Sequence, residues 1–512
     1  MLFGSIIGPS LDTSRLKCII LFWPHRLPDT CDAVDTIHAI HDRICMGGAI
    51  CFEERRIRGP RSPTSIFLRA NTETKISDIL RNWDAVTSNT GRIYNYTGFH
   101  MHKLIKGIRY VSLYGQTIGY YIAAKRYMMG LKRSGIPFTW TPMARGNTRD
   151  RPLEPFTGSR MGDADLDPFC NKQIQYDTVI LHTPPDLYPS WIEVEGNKRI
   201  FGYTVWETDK LPGHWPKLLN QVDHILVPCE WNKRVFEECG VTKPIDVIPH
   251  IACNADTSPS CDCKLPWNIA PSDFVFYTIE TWTARKAVWD TIQCYLATFE
   301  EDDPVVLIVK TTGKAYRDSP FVFIPHRIAK ILSRILKGSK KAIEIKNHIR
   351  GNDNPEDLLG SIKKKYNSPA RIVLITDTLS ENCIQELHSR GDCYVSLCRS
   401  EGWGLGAFKA AEIGKPVIIT GFGGQLDFLP NESAYLIDYD LVSARDDSAR
   451  QNFTQDQKWA KPRLDHASML MRHVFENRIE AKARGEELKI YVAKHFQEDK
   501  VMQKFIRVLA RS

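Results

Sequence analysis

The chain lacks any apolar run long enough to cross a membrane. Its longest such runs, residues 305–309 and 371–375, have the length of β-strands, whereas a transmembrane helix needs about 20 apolar residues. Residues 1–7 contain neither a basic segment nor a long apolar core, so we expect no secretory signal peptide. These absences favour a cytoplasmic location, with at most peripheral contact with a membrane.

The sequence also lacks a strong charge of either sign. Its 68 Lys and Arg residues against 60 Asp and Glu residues leave a formal net charge of +8 over 512 residues. Because no recognition motif accompanies this excess, nucleic acid is not an expected partner. Basic residues concentrate only at residues 337–346 and 363–365. Such runs are usually solvated helix faces, and the alternative is docking on an anionic membrane surface or a lipid-linked acceptor.

Regularly spaced cysteines are missing as well. The 14 cysteines are scattered over the whole length, which is typical of reduced intracellular thiols and not of a disulfide framework. The length itself exceeds what one hydrophobic core supports, so the chain is expected to form two or three domains.

The most informative segment is a glycine-rich stretch near the C-terminus. An apolar strand leads into Glu401, three glycines follow within five residues, and a helix then runs to a Gly-Lys-Pro stop at residues 414–416. Glycines ahead of a helix let phosphates approach the backbone, and the free N–H groups of the first turn bind the anion. The carboxylate is placed to accept hydrogen bonds from hydroxyls beside those phosphates. A ligand with both groups suggests a nucleotide-sugar.

Strands and helices alternate from residue 107 onward. Strands are predicted at 108–114, 138–141, 178–182, 199–205 and 224–227, and again at 274–279, 305–309, 371–375, 393–398 and 416–420. This pattern predicts two doubly wound, mostly parallel sheets. We assign an N-terminal extension (1–106), an N-terminal domain (107–250), a linker (251–271), a C-terminal domain (272–487) and a final helix packing back across both domains (488–512). Within the extension, only a strand at 16–23 and a helix at 74–86 are predicted.

Two such domains with a Glu-Gly-x-Gly-Leu-Gly turn resemble the GT-B glycosyltransferases, in particular retaining glycosyltransferase family 4. The likeness extends to the Val-Pro-Cys-Glu-Trp-Asn segment at residue 227, the Val-Ile-Pro-His segment at 247 and the stretch 202–209. Residues 423–427 read Gly-Gly-Gln-Leu-Asp, with Asp where the family has Glu. The resemblance covers roughly residues 107–510 and implies an α/β GT-B fold, with two Rossmann-like domains facing a crevice.

The resemblance also implies a site for the donor. The backbone N–H groups of Gly404, Leu405 and Gly406, together with Arg285 and Lys286, would bind the donor diphosphate. Glu401 matches the family's first glutamate, which contacts the donor sugar near the reacting centre.

At the family's second glutamate the chain departs from the pattern. That position, eight residues after Glu401, holds Lys409, and a lysine accepts no hydrogen bond from ribose hydroxyls. Glu412 lies one helical turn further on nearly the same face and could reach the ribose in part. The family's additional arginine is also absent, since Glu280 lies in its region, and Arg285 is the expected substitute.

In the N-terminal domain, Gly115 and Gly119 would form a loop that closes over donor and acceptor. His182, at the end of a strand, occupies the place of a crevice-facing histidine in the family, although a lone histidine there is more often structural. Glu207, at another strand end, is a candidate for binding acceptor hydroxyls or for stabilising positive charge on the sugar.

The implied reaction is transfer of a hexose-type sugar, with retention, from a nucleoside-diphosphate sugar to a hydroxyl of a glycan, lipid-linked or protein-linked acceptor. No cofactor is expected beyond the donor. No Asp-x-Asp pair lies near the site, since Asp163 and Asp165 belong to a polar loop, so we expect metal independence. Two alternatives stay open: a non-catalytic GT-B module that binds a sugar or a partner, motivated by Lys409, and a nucleotide-sugar epimerase.

Overall fold

The computed structural model describes three strands in the first hundred residues and most of the chain after them. The described residues are 18–22, 50–55, 65–70, 105–115, 118–145, 153–252, 269–315, 354–446, 449 and 451–511. They belong to two compact units, Met1–Tyr96 and Thr97–Ser512.

The first unit contains a three-stranded antiparallel sheet. Strand β3 (Ser65–Ala70) pairs with both β1 (Cys18–Phe22) and β2 (Ile50–Arg55). The strand predicted at 16–23 is therefore confirmed, whereas the helix predicted at 74–86 lies outside the described residues.

The second unit begins with a seven-stranded sheet in the order β10-β9-β8-β7-β4-β5-β6. All neighbours are parallel except β5 and β6. Its strands are β4 (Ile108–Leu113), β5 (Phe138–Arg145), β6 (Leu153–Pro155), β7 (Thr178–His182), β8 (Arg199–Tyr203), β9 (His224–Val227) and β10 (Ile245–Val247). The intervening helices are α1 (Gly119–Arg133), α2 (Tyr188–Glu195), α3 (Trp215–Leu219) and α4 (Glu230–Glu238).

A six-stranded parallel sheet follows in the order β13-β12-β11-β14-β15-β16. Its strands are β11 (Phe274–Ile279), β12 (Val305–Lys310), β13 (Arg371–Ile375), β14 (Cys393–Ser396), β15 (Val417–Thr420) and β16 (Tyr435–Ile437). Helices α5 (Val288–Thr298), α6 (Pro355–Lys363), α7 (Glu381–Arg390) and α8 (Leu405–Glu412) connect them. A hairpin of β17 (Tyr439–Ser443) and β18 (Lys458–Pro462) comes next, and α9 (Leu464–Glu476), α10 (Arg478–His495) and α11 (Glu498–Arg511) end the chain.

Both sheets have the doubly wound topology that the sequence predicts. Strand β4 lies between β5 and β7, and β11 lies between β12 and β14, so the order reverses beside each of these strands. Ligands of such sheets bind in the crevice outside the carboxyl ends of the strands at this reversal. The apolar runs that form the central strands are buried on both faces, as the fully buried β12 illustrates, whereas the edge strand β13 is mostly half-buried.

The last helix returns to the N-terminal sheet. Phe505 of α11 packs against Tyr127 of α1 with ring centroids 5.2 Å apart, and Met502 lies against Gly130. Both α11 residues are buried in the core of the N-terminal domain. No helix among the described residues is long and apolar enough to span a membrane.

The cysteines do not all have the state that the sequence suggests. Six described cysteines are free thiols, whereas Cys383 is disulfide-bonded. The free thiols are at positions 170, 229, 239, 294, 393 and 398.

Candidate functional site

The glycine-rich turn connects β14 to α8 at the carboxyl end of the second sheet. Gly404 has φ +87° and occupies the N-cap position of α8, a left-handed conformation that favours glycine. No side chain caps this helix end, and its first turn contains no acidic residue. The N–H groups at Leu405 and Gly406 thus begin a helix whose end is suited to an anion.

Glu401, just ahead of the turn, contacts two cations. Its carboxylate lies 3.2 Å from Nη1 of Arg285 and forms a closer ion pair with Nζ of Lys286. The carboxylate side chain is only 8% exposed. Burial would raise the pKa of Glu401, but Lys286 and then Arg285 hold that pKa below its ordinary value. Glu401 is therefore an ionised carboxylate inside the site.

Both cations come from the loop between β11 and α5. This loop leaves the sheet at its central strand and enters α5 through Ala287, whose φ of +44° is unusual for a residue with a side chain. Arg285 also donates a hydrogen bond from Nη1 to the carbonyl of Ser400 at 2.9 Å, and its own amide lies 3.4 Å from a carboxylate oxygen of Asp446. The guanidinium is thereby fixed against the turn.

The N-terminal domain contributes Glu207 to the same cluster. Its carboxylate lies 3.5 Å from Nη2 of Arg285. Burial raises the pKa of Glu207, opposed by Arg285 and increased further by Glu401. Four of the residues predicted from the sequence, namely Glu401, Glu207, Arg285 and Lys286, thus form one cluster that joins the two domains.

Close backbone contacts bring the two domains together beside this cluster. A Cβ atom at Gly402 would clash with the side chain of Val205 and would lie 3.0 Å from the carbonyl oxygen of Trp206. Cys229 donates a hydrogen bond from Sγ to the carbonyl of Gly402 at 3.2 Å. The structure therefore has the domains in contact at the turn, with no room there for a larger residue.

The predicted N-domain loop also reaches the turn. A Cβ atom at Gly119, the first residue of α1, would lie 3.5 Å from the side chain of Leu405. Gly115 lies just after β4, where its carbonyl accepts a hydrogen bond from the amide of Ile118. The structure places Gly119 against the turn, with Gly115 at the start of the same loop.

His182 has a different environment. Its Nδ1 lies 2.8 Å from the hydroxyl of Tyr110, and its ring stacks on Tyr203 at 4.1 Å. The side chain is buried, and burial holds the pKa of His182 well below its ordinary value, as does His250 to a lesser extent. His182 is thus a neutral member of the aromatic core, and none of its described contacts is with the carboxylate cluster.

Lys409 and Glu412 pair with each other. Lys409 Nζ lies 2.9 Å from Glu412 Oε1, and these side chains are 16% and 4% exposed. The other oxygen of Glu412 is buried and has no hydrogen-bond partner in the described part of the chain. Lys409, which the resemblance places at the second glutamate of family 4, is therefore the partner of a buried acid.

Glu280 lies beside the cluster, with a carboxylate oxygen within 4.8 Å of one of Glu401, although the sequence indicated only that it lies in the region of an arginine present in relatives. It directly follows β11 and accepts a hydrogen bond from Ser396 at 2.7 Å. Burial raises the pKa of Glu280 to about 7, which Lys286 opposes and Glu401 reinforces. Its position at the end of a central strand was the available signal.

One set of side chains has the spacing of metal ligands. Ligand atoms of Glu280, Cys398 and Glu401 all lie within 4.8 Å of one another. However, Lys286 and Arg285 already neutralise Glu401, so this arrangement by itself does not indicate a cation site.

Comparison with known proteins gives a likeness of fold. No protein-family model matches the chain, and no curated protein matches it in sequence. Sucrose-phosphate synthase from Thermosynechococcus elongatus is 12% identical, with 80% of this chain and 100% of that chain covered and a TM-score of 0.53.

Two further solved structures are less similar in shape. Trehalose-6-phosphate synthase from E. coli, in a structure bound with UDP-2-fluoro glucose, is 14% identical with a TM-score of 0.49, and 79% of this chain and 99% of that chain are covered. TarM from S. aureus, in a structure that contains UDP, is 12% identical with a TM-score of 0.44, and 65% of this chain is covered. The present chain spans only about half, 55%, of the length of TarM. The described residues between 105 and 511 have the GT-B fold of sucrose-phosphate synthase, in which two doubly wound domains meet at a crevice.

Proposed function

We propose that the protein is a retaining glycosyltransferase of the family 4 type, which moves a hexose-type sugar from a nucleoside-diphosphate sugar to a hydroxyl group without a metal ion. The observation that supports this most is the ion-pair cluster at the start of α8. There Glu401 contacts Arg285 and Lys286, and Glu207 approaches from the other domain.

The cations and the helix end are suited to the charge that develops in such a reaction. When the bond between the sugar and the diphosphate breaks, negative charge grows on the leaving phosphate. Arg285, Lys286 and the uncapped N-terminus of α8 are preorganised to stabilise that charge, which is usually the largest contribution available to an active site. Contact between the domains would exclude water and limit hydrolysis of the donor.

The carboxylates have a complementary role. Glu401 stays ionised beside its cations and would stabilise positive charge on the sugar ring. Glu401 and Glu207 are both held by Arg285, and the proposal assigns neither of them the role of a nucleophile. Retention then follows if the acceptor attacks from the face that the diphosphate leaves, with the leaving phosphate oxygen taking the acceptor proton.

The acceptor class is a hydroxyl of a glycan, a lipid-linked or a protein-linked substrate. The basic run at residues 363–365 ends α6, and Lys364 and Lys365 are exposed. An exposed basic run supports peripheral docking on an anionic surface, in keeping with a cytoplasmic protein that works beside a membrane.

A second candidate function has its own observation. In the family, the position of Lys409 carries an acid that binds ribose, whereas here Lys409 is engaged with Glu412. This pair favours a non-catalytic GT-B module that binds a sugar or a partner, and the following experiment separates the two functions.

The first step is a thermal-shift panel of UDP, GDP, ADP, CMP and their common sugar conjugates without added metal, because a ligand that binds only the folded state raises its melting temperature. We expect one nucleotide to stand out, and its sugar conjugate to release nucleoside diphosphate when acceptors are added. Glu401→Gln should retain nucleotide binding, since both cations remain, but lower turnover about 10²–10³-fold. Glu195→Gln, which alters a buried acid paired with Arg109 in the N-terminal domain, is the matched control.

The outcomes discriminate clearly. Stabilisation by no member of the panel would contradict donor binding and leave the non-catalytic module. Wild-type turnover of Glu401→Gln would remove Glu401 from the reaction. An epimerised free sugar released without an acceptor would identify an epimerase, and NMR of the product's anomeric proton tests retention.

A further inference from the structure

Glu280 has an unused carboxylate oxygen inside the proposed donor site. Its Oε1 accepts a hydrogen bond from Ser396 at 2.7 Å and lies 3.4 Å from the hydroxyl of Tyr394. Its Oε2 is buried without a hydrogen-bond partner among the described residues. The whole residue is 8% exposed, so bulk water does not compensate this oxygen. A buried polar atom without a partner is costly and calls for a ligand or a proton.

The charges around Glu280 are already unbalanced. Four carboxylates, those of Glu280, Glu401, Glu207 and Asp446, interact electrostatically with the two cations Arg285 and Lys286. A donor diphosphate would add at least two more negative charges to this buried cluster. An ionised Glu280 would repel it, whereas a protonated Glu280 is neutral and offers a hydrogen-bond donor.

We propose that Glu280 binds the donor diphosphate as a carboxylic acid, so that the protein takes up a proton when the diphosphate enters. This inference rests on the proposed function, because it assigns the diphosphate to the cluster at the start of α8. In the binding step one proton moves from solvent to the Glu280 carboxylate, and no covalent bond forms or breaks.

Most of the groups that face Glu280 do not change protonation state near neutral pH, so Glu280 is the main group that titrates there. Burial raises the pKa values of Tyr394 and Cys398 far above their ordinary range, so both stay neutral. Opposing charges keep Lys286 and Arg285 protonated and Glu401 ionised. Glu207 is the exception, since its pKa is also raised. An experiment must therefore separate Glu280 from Glu207.

The sign of the pH dependence follows from linkage. In the free protein, Glu280 has a pKa of about 7. The fraction of the protein with the protonated Glu280 that binds the diphosphate therefore decreases as the pH rises. If only that form binds, affinity falls about tenfold for each pH unit well above 7. Below pH 6 the dependence should vanish.

The test measures the dissociation constant of the nucleoside diphosphate that stands out in the thermal-shift panel, and of inorganic pyrophosphate, between pH 6 and pH 8.5. Glu280→Gln keeps the shape and supplies a permanent donor. The ratio of the wild-type to the Glu280→Gln dissociation constant cancels the titration of the ligand itself. We expect this ratio to be near one at pH 6 and at least about tenfold at pH 8.5. The same ratio taken with Glu207→Gln or Glu195→Gln should stay flat.

Calorimetry of the wild-type protein and of Glu280→Gln provides a second readout. Binding heats measured at pH 7 in buffers of different ionisation enthalpy give the number of protons exchanged, and we expect the wild-type protein to take up about half a proton more than Glu280→Gln, since the contribution of the ligand is common to both. Nucleotide binding with a flat ratio and equal proton uptake by the two proteins overturns the role of Glu280 while leaving the proposed function intact. Absence of both nucleotide and pyrophosphate binding overturns the proposed function itself. A ratio that changes with Glu207→Gln instead assigns the proton to Glu207.

Discussion

Replacing Lys409 by glutamate should destabilise the protein, although the family that the sequence resembles has glutamate at this position. Lys409 Nζ lies 2.9 Å from Glu412 Oε1, and Glu412 is only 4% exposed. Removing one partner of a buried ion pair leaves an uncompensated charge and costs about 3–5 kcal/mol. Lys409→Glu also places a second negative charge one helical turn from the first. We therefore expect a loss in the upper part of that range.

The magnitude is measured by urea unfolding at pH 7, followed by tryptophan fluorescence. Because two domains need not unfold in one step, hydrogen exchange of peptides from α8 should be measured as well, to report the stability of this helix itself. Lys409→Gln, which removes the charge without reversing it, should cost less, about 1.5–3 kcal/mol for a hydrogen bond to a charged group. The exchanged pair Lys409→Glu with Glu412→Lys should recover a large part of the loss, and the double-mutant cycle gives the coupling energy.

A loss below about 1 kcal/mol for Lys409→Glu would refute this reasoning, because it would mean that Glu412 does not depend on the lysine. The outcome also governs the test of ribose binding. Lys409→Glu combined with Glu412→Gln restores the family's acid without a pair of like charges. If the position faces ribose, this double variant should bind the nucleotide more tightly than Glu412→Gln alone.

Two further changes test the geometry around the cluster. Ala287→Gly should raise the melting temperature, because Ala287 has φ +44° and a side chain in the left-handed region costs about 1–2 kcal/mol. The control Ala284→Gly relieves no such conformation and should lower the melting temperature. If Ala287→Gly instead lowers the melting temperature and Ala284→Gly raises it, packing of the Ala287 methyl group dominates. Gly402→Ala should separate the domains, because its Cβ would clash with Val205. Small-angle X-ray scattering should then show a larger radius of gyration, and nucleotide binding should weaken. Gly213→Ala, where a Cβ meets no atom within 4 Å, is the matched control, and an unchanged radius for Gly402→Ala would indicate that Val205 moves aside.

Much of the fold could be predicted because its strands are continuous apolar runs. Strands β7, β9 and β11 have the predicted bounds, and the prediction of two doubly wound sheets is confirmed. The hairpin of β17 and β18 escaped prediction. Apolar and polar residues alternate only weakly along these strands, and three of the five residues of β17 are exposed. The hydrophobic periodicity therefore gave little indication of a strand.

The site was predictable only in part. The Gly-rich motif and the resemblance to family 4 singled out Glu401, Arg285 and Lys286, and the structure brings these three side chains together. That they bind a donor stays a prediction. The burial of His182 among tyrosines could not be read from the sequence, since it depends on four different elements. The same holds for Lys409 and Glu412, because spacing places them on one face but does not show that Glu412 is buried. Whether His182, Lys409 or Glu412 contacts substrate stays a prediction.

The contact between Gly119 and Leu405 joins the N-terminal ends of two helices from different domains. Neither α1 nor α8 has a side-chain cap or an acidic residue in its first turn. Each helix dipole places about half a positive charge at that end, so two like partial charges meet across the interface and oppose the approach of the domains. An anion between them would reverse the sign of this interaction, attracting both ends at once. By thermodynamic reciprocity, whatever strengthens anion binding at this point also holds the domains together, and separating the domains releases the anion.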